Sequence, residues 1–208
     1  MDAINIILEF DSDKRDEIEK DIYSPEREFV DFNILLPCPQ ELIEQVSGSP
    51  ERAGVDLVKK YNKRFDIASP TLRDDVRAFL DEYKKEEHFL TRDVFVEDPQ
   101  NMESVINSVI AYQKYGFANW YEFNYDKWGV SQNAFHFGKK RRTNSGGFYF
   151  VTGGGIPVKW LLALSKKWPD VVFKVYSRME FLDRGGFVSV YHFKNNEYIR
   201  VPDEKRNF

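Results

Sequence analysis

Four cations stand in a row at Lys139, Lys140, Arg141 and Arg142, between the rings of Phe135, Phe137 and Phe148. Cations on phosphates with rings on bases is the pairing that single-stranded nucleic acid needs. The same four charges would also suit an acidic protein, and a solvated hairpin loop is the plain structural alternative. Just upstream, Tyr115 to Phe137 holds two tryptophans, three tyrosines and four phenylalanines among Asn, Asp and Gly. So many rings are costly to leave in water, so the segment is either the centre of a fold or the floor of a binding surface. Trp120, Tyr121, Phe123, Tyr125 and Trp128 do not fall on one helical face. The structural expectation is therefore a loop folded over a sheet as a small second core, and the functional one is a recognition surface.

The remaining chemistry is sparse. Gly153-Gly154-Gly155-Ile156-Pro157 joins a strand to a helix, a junction whose N–H groups can cradle a phosphate. It lacks the lysine and Ser/Thr of a P-loop and the spacing of a dinucleotide fingerprint, so a tight turn is the simpler reading. His88, His136 and His192 lie in three separate elements and no spacing makes them ligands. Cys38, between two prolines, has no local cations to lower its pKa and reads as a small apolar residue. No serine or threonine has a nucleophile-elbow context. Carboxylates are plentiful but scattered, and no acid/base pair stands out. The residues call for no metal and no cofactor.

The elements that must hold these residues can be read in order. Ile4 to Phe10 suits a buried strand. Asp13 can cap a short helix with Ile18 and Ile22 on one side, and Glu28 to Leu36 reads as a second extended segment. Ser49-Pro50 and Ser69-Pro70 each look like an N-cap before a first-turn proline. The helix after Pro70 carries Leu72, Val76, Phe79, Leu80 and Tyr83 as one stripe, its other side being charged. A further helix opens at Asp98-Pro99, carries Met102, Val105, Ile106, Val109 and Ile110, and ends at Gly116 as a left-handed C′ residue. Phe148 to Thr152 is a strand, followed by a helix with Trp160, Leu161, Leu164 and Trp168. The strands Val171 to Tyr176, Gly186 to Phe193 and Glu197 to Val201 finish the chain, with Asn195-Asn196 as a hairpin turn.

This order predicts an α+β fold: a ferredoxin-like antiparallel sheet with helices on one face and an inserted helical subdomain. The predicted boundaries are 1–46 and 98–208 for the core and 47–97 for the insertion. With 208 residues, 42% apolar and 16% aromatic, the chain has ample core material. A net charge of −4 argues against general nucleic-acid affinity, though not against a local basic patch. One cysteine rules out an internal disulfide. No segment reads as a signal peptide or approaches the ~18 apolar residues of a membrane span, so the expectation is no membrane contact and a cytoplasmic location. Nothing in the sequence sets an oligomeric state.

Asn119-Trp120-Tyr121, Trp128-Gly129 and Asn133-Ala134, in that order, resemble the Asn-Trp-Tyr, Trp-Gly-Thr-Lys-Trp and Asn-Ala signature of the YubB-like, DUF1281-type family of ferredoxin-fold proteins. Two flanking stretches agree. Asp31 to Pro39 resembles the family's Phe-Asn-x-Ile-Ile-Pro-x-Pro segment. Phe150-Val151-Thr152, Pro157 and Trp168-Pro169-Asp170 resemble its strand, helix and Phe-Pro-Asp-Leu run. The resemblance covers roughly residues 1–45 and 100–200. Val130-Ser131-Gln132 and Thr152-Gly153-Gly154 depart from it, losing two large aromatics. It implies a ferredoxin-like domain carried by phages, plasmids and other mobile elements, and brings no catalytic residues.

The functional expectation is a non-enzymatic protein of a mobile element, in a bacterial host's cytoplasm, that binds a host or defence component as an accessory or anti-defence factor. Its binding residues would be Trp120, Tyr121, Trp128 and Lys139, Lys140, Arg141 and Arg142. The first alternative is a nucleic-acid-binding module using the same aromatic segment and basic loop. The second is a metal-dependent hydrolase or nuclease built on scattered carboxylates.

Overall fold

The computed structural model describes residues 3–45, 48–83, 99–135, 143, 146–179 and 187–205. Contacts divide the chain into two compact units, Met1–Pro37 with Asn124–Phe208, and Cys38–Phe123. The sequence had placed the boundaries at 46/47 and 97/98. No helix among the described residues is long and apolar enough to cross a membrane.

The first unit begins with β1 (Ala3–Glu9), α1 (Arg15–Ile22), the short strands β2 (Tyr23–Ser24) and β3 (Phe29–Val30), and α2 (Phe32–Leu35). β1 is buried on both faces, Ile4, Ile6 and Leu8 on one and Asn5 and Ile7 on the other. α1 carries Ile18 and Ile22 inward as expected, but Lys14 rather than Asp13 occupies its N-cap and no side chain caps it. The extended reading of Glu28 to Leu36 holds only for β3. The Asp31 carboxylate accepts from the Asn33 N–H at 2.9 Å, and this cap turns Phe32–Leu35 into helix against the strand-like order of its apolar residues.

The second unit contains α3 (Gln40–Ile43), α4 (Ser49–Lys60), α5 (Leu72–Tyr83) and α6 (Pro99–Tyr115). Its core joins Val55, Leu57 and Val58 of α4, Val76 and Leu80 of α5, and Val105, Ile106 and Val109 of α6. Of the apolar stripes read from the sequence, Val76, Phe79 and Leu80 of α5 and Met102, Val105, Ile106 and Val109 of α6 are buried, and Leu72 and Ile110 are partly so. Gly54 sets how closely α4 and α6 approach, since a Cβ there would fall 2.3 Å from Val105 Cγ1. At the start of α4, Gly48 rather than Ser49 is the N-cap, with Pro50 in the first turn. α6 ends where Gly116 takes φ +80°, its N–H bonding the Tyr112 carbonyl at 2.8 Å.

The boundary between the units falls inside α7 (Trp120–Lys127), after which the first unit resumes with β4 (Phe148–Gly153), α8 (Val158–Lys167), β5 (Phe173–Met179), β6 (Phe187–Lys194) and β7 (Glu197–Lys205). The five-stranded sheet runs β4-β1-β5-β6-β7 and every pairing is antiparallel. β1 thus separates β4 from β5, and β4-α8-β5 forms the split β-α-β unit of ferredoxin-like folds, continued by a meander. Asn195 and Asn196, both at positive φ, make the two-residue turn between β6 and β7.

One sheet face carries Ile6, Leu8, Phe148, Phe150, Phe173, Val175 and Phe193, all buried. Trp160, Leu161 and Leu164 of α8 supply its helical cover. Phe32 adds to that cover, tilted on Trp160 at 4.7 Å between centroids and edge-on to Phe150 at 6.0 Å. The opposite face gathers Ile7, Tyr176, Val188 and Val190, with Tyr149 and Val201 beside them.

Candidate functional site

The aromatic segment, expected as a loop, contains a helix. Its start is capped on both sides: Asn119 Oδ1 accepts the Glu122 N–H at 3.1 Å, while the Glu122 carboxylate accepts the Ala118 N–H at 3.0 Å. Its end is closed by the N–H groups of Trp128 and Gly129, both on the Asn124 carbonyl, with Gly129 at φ +84°. Phe123, Asn124 and Trp128 are buried, whereas Tyr121 and Tyr125 are exposed. Rings on several sides give no one-sided stripe, so the helix is invisible to periodicity and is specified by its caps.

Trp128, expected among the binding residues, is only 2% exposed. Its indole Nε1–H donates to the Leu36 carbonyl at 2.9 Å, and its ring stands edge-on to Phe32 at 5.6 Å. Its own carbonyl accepts the Trp160 N–H at 3.3 Å, near the N-terminus of α8. Gly129 then passes so close that a Cβ would lie 3.3 Å from the backbone nitrogens of Val158 and Lys159. Trp128 is therefore a wedge in the core, and offers a partner no surface.

The same contacts bear on the glycine loop. Gly154 and Gly155 adopt positive φ, and Thr152 Oγ1 donates to the Gly155 carbonyl across the turn. The Val158 N–H turns back on the Ile156 carbonyl and the Trp160 N–H is taken by Trp128. Two N–H groups that could have met a phosphate are thus already bonded within the protein, which favours the tight-turn reading.

Asn133 is a staple as well. Its Oδ1 accepts the N–H groups of Phe32 at 2.8 Å and Ala134 at 2.9 Å, and its Nδ2 donates to Asp31 at 2.7 Å. Phe135 then pairs with Val151 at the edge of β4. Trp168 Nε1 donates to Asp21 at 3.0 Å, and Lys167 pairs with the same carboxylate at 2.9 Å. These residues are each bonded to another part of the first unit or packed in its core.

At the other end of the helix, the Trp120 ring is half-buried and stands T-shaped to Tyr121 at 5.8 Å. Tyr121 is 37% exposed. These two are the binding candidates that reach the described surface. Lys139, Lys140, Arg141 and Arg142 lie outside the described residues, as do His88 and His136. His192 sits on β6 opposite Lys174 and Ile199. No set of three or more His, Cys, Asp or Glu among the described residues is arranged to hold a metal. Burial pushes the Cys38 thiol up to about 11, so it is a poor nucleophile.

Two surface features went unread in the sequence. Glu41 of α3 meets Lys114 of α6 at 2.7 Å, and hydrogen bonds from Lys114 and then Tyr115 hold its carboxyl at about 2. The same bond raises the lysine. Partners so far apart in sequence leave no local signal. In the first unit, Asp11, Asp13, Lys14, Trp168 and Asp170 line a groove of about 610 Å³, with the Lys14 ammonium 6.0 Å from the Trp168 ring.

No family model matches the sequence, and no curated protein matches it. Among solved structures, the protein api92 from Yersinia pseudotuberculosis, described under the family DUF1281, is similar over 100% of this chain and 99% of its own. The identity is 7% and the TM-score 0.37.

Proposed function

We propose that this protein is a non-enzymatic binding protein of a phage or plasmid, and that in a bacterial cytoplasm it engages a host or defence protein as an anti-defence factor. The observation that carries this reading is the exposed Tyr121, braced by the Trp120 ring at the capped start of α7. An aromatic side chain held in place by a neighbouring ring and a fixed helix end loses little entropy on binding. Tyrosine and tryptophan are also enriched among residues that dominate protein interfaces. The YubB-like resemblance of the Asn119, Trp128 and Asn133 motifs supports the mobile-element setting.

The test is affinity capture from bacterial lysate with the intact chain and with Tyr121→Ala. A single stoichiometric protein partner, lost or weakened at least tenfold by the substitution, is the expected result. Capture of nucleic acid that falls off steeply with salt would replace this reading with the nucleic-acid one. Retention of the partner by Tyr121→Ala would remove the site.

A further inference from the structure

β7 closes one edge of the sheet, and its outer side carries backbone groups whose direction follows from the hairpin. The two-residue turn at Asn195-Asn196 makes Lys194 and Glu197 a hydrogen-bonded pair. Bonded and non-bonded pairs then alternate along an antiparallel ladder. Phe193–Tyr198 and Tyr191–Arg200 are therefore non-bonded pairs, and the N–H and C=O of Tyr198 and Arg200 point away from β6. Between them lies Ile199, 63% exposed, while Tyr198 is 46% exposed. An edge of this kind is a template for another strand.

We infer that this edge pairs with the same edge of a second copy of this chain, antiparallel, with Ile199 facing its counterpart on a two-fold axis. The choice of occupant follows from register. A two-fold ribbon must match outward residues with outward residues, and a centre on Val201 is ruled out because it sets Arg200 against Pro202, so Tyr198, Ile199 and Arg200 remain as centres. Centring on Arg200 places two guanidiniums opposite one another and sets Tyr198 against Pro202, which has no N–H to give. Centring on Tyr198 sets Arg200 against Asn196, whose N–H is already bonded to Ser165 Oγ at 3.0 Å. Centring on Ile199 pairs Tyr198 with Arg200 twice, so every outward N–H and C=O of both residues is used.

That register also suits the side chains. Each Arg200, held by Asp203 of its own strand at 3.0 Å, lies directly across from a tyrosine ring on the same face, within reach of a cation–π contact. The two Ile199 side chains meet in a non-bonded pair, where side chains come closest. Tyr198 is already stacked on Phe193 at 5.1 Å, which fixes its orientation before pairing. Pro202, together with the irregularity between Val188 and Val190, ends the ribbon and keeps it from growing into a longer one. Pairing one edge strand with another is a small contact, so association is weak and shows only at high concentration.

Sedimentation of the intact chain up to about 1 mM, a range that detects an association of about −4 kcal/mol, is expected to show mass rising toward twice the monomer. Ile199→Lys, which sets like charges on the axis at an exposed position, is expected to hold the chain monomeric with unchanged circular dichroism. Ile199→Cys is expected to give a disulfide-linked dimer under mild oxidation at least tenfold faster than Glu197→Cys, because only residue 199 meets itself within disulfide reach. A monomeric mass throughout, equal cross-linking of the two cysteine variants, or dimerisation unaffected by Ile199→Lys would each overturn the inference.

Discussion

The two ends of one aromatic helix have opposite fates. At its C-terminal end, Trp128 is buried, bonded to Leu36 and wedged against Phe32. At its N-terminal end, Tyr121 is partly exposed beside a half-buried Trp120. Both ends belong to one aromatic stretch, yet one holds the fold and the other leaves it a surface. The sequence records only that a ring is present, and the partner of that ring says what it does.

Replacing Trp128 should have the largest effect. Trp128→Ala removes a buried ring and strips the Leu36 carbonyl of its donor, so a loss of about 3–5 kcal/mol in urea unfolding followed by circular dichroism is expected. A loss below 1 kcal/mol would mean that the wedge carries no weight. Asn133→Ala comes next. It takes the acceptor from the Phe32 and Ala134 N–H groups and one of the donors from the Asp31 carboxylate, for about 1–3 kcal/mol by the same measurement. Asn119→Ala removes one N-cap bond and should cost about 1 kcal/mol, with Asn119→Asp restoring most of it. If the aspartate variant is no better than alanine, the capping account of this helix fails.

Tyr121→Ala should be the quietest, changing stability by no more than about 0.5 kcal/mol. Should it cost as much as Asn133→Ala, the contrast between the two ends collapses and Tyr121 joins the core.

What could be read beforehand follows the reach of each signal. β1, the α6 stripe and the β6–β7 turn depend on residues a few positions apart, and period and turn chemistry expose them. α2 and α7 were misread because single caps, Asp31 and Asn119, decide them against an uninformative apolar pattern. The burial of Trp128 depends on a carbonyl at residue 36, and the Glu41–Lys114 pair likewise joins distant segments. No window along the chain contains both halves of either contact.

The place of β1 in the sheet bears on the order of folding. Its two neighbours are β4 and β5, with Ala3 opposite Gly153 and Ile4 opposite Met179. The apolar run Ile4 to Leu8 is thus synthesised long before either strand that covers it. The contiguous Cys38–Phe123 unit can be complete while β1 still waits. During translation the ribosome therefore presents a sticky, unpaired strand for most of the chain's length, and closing the sheet is the late and slow event.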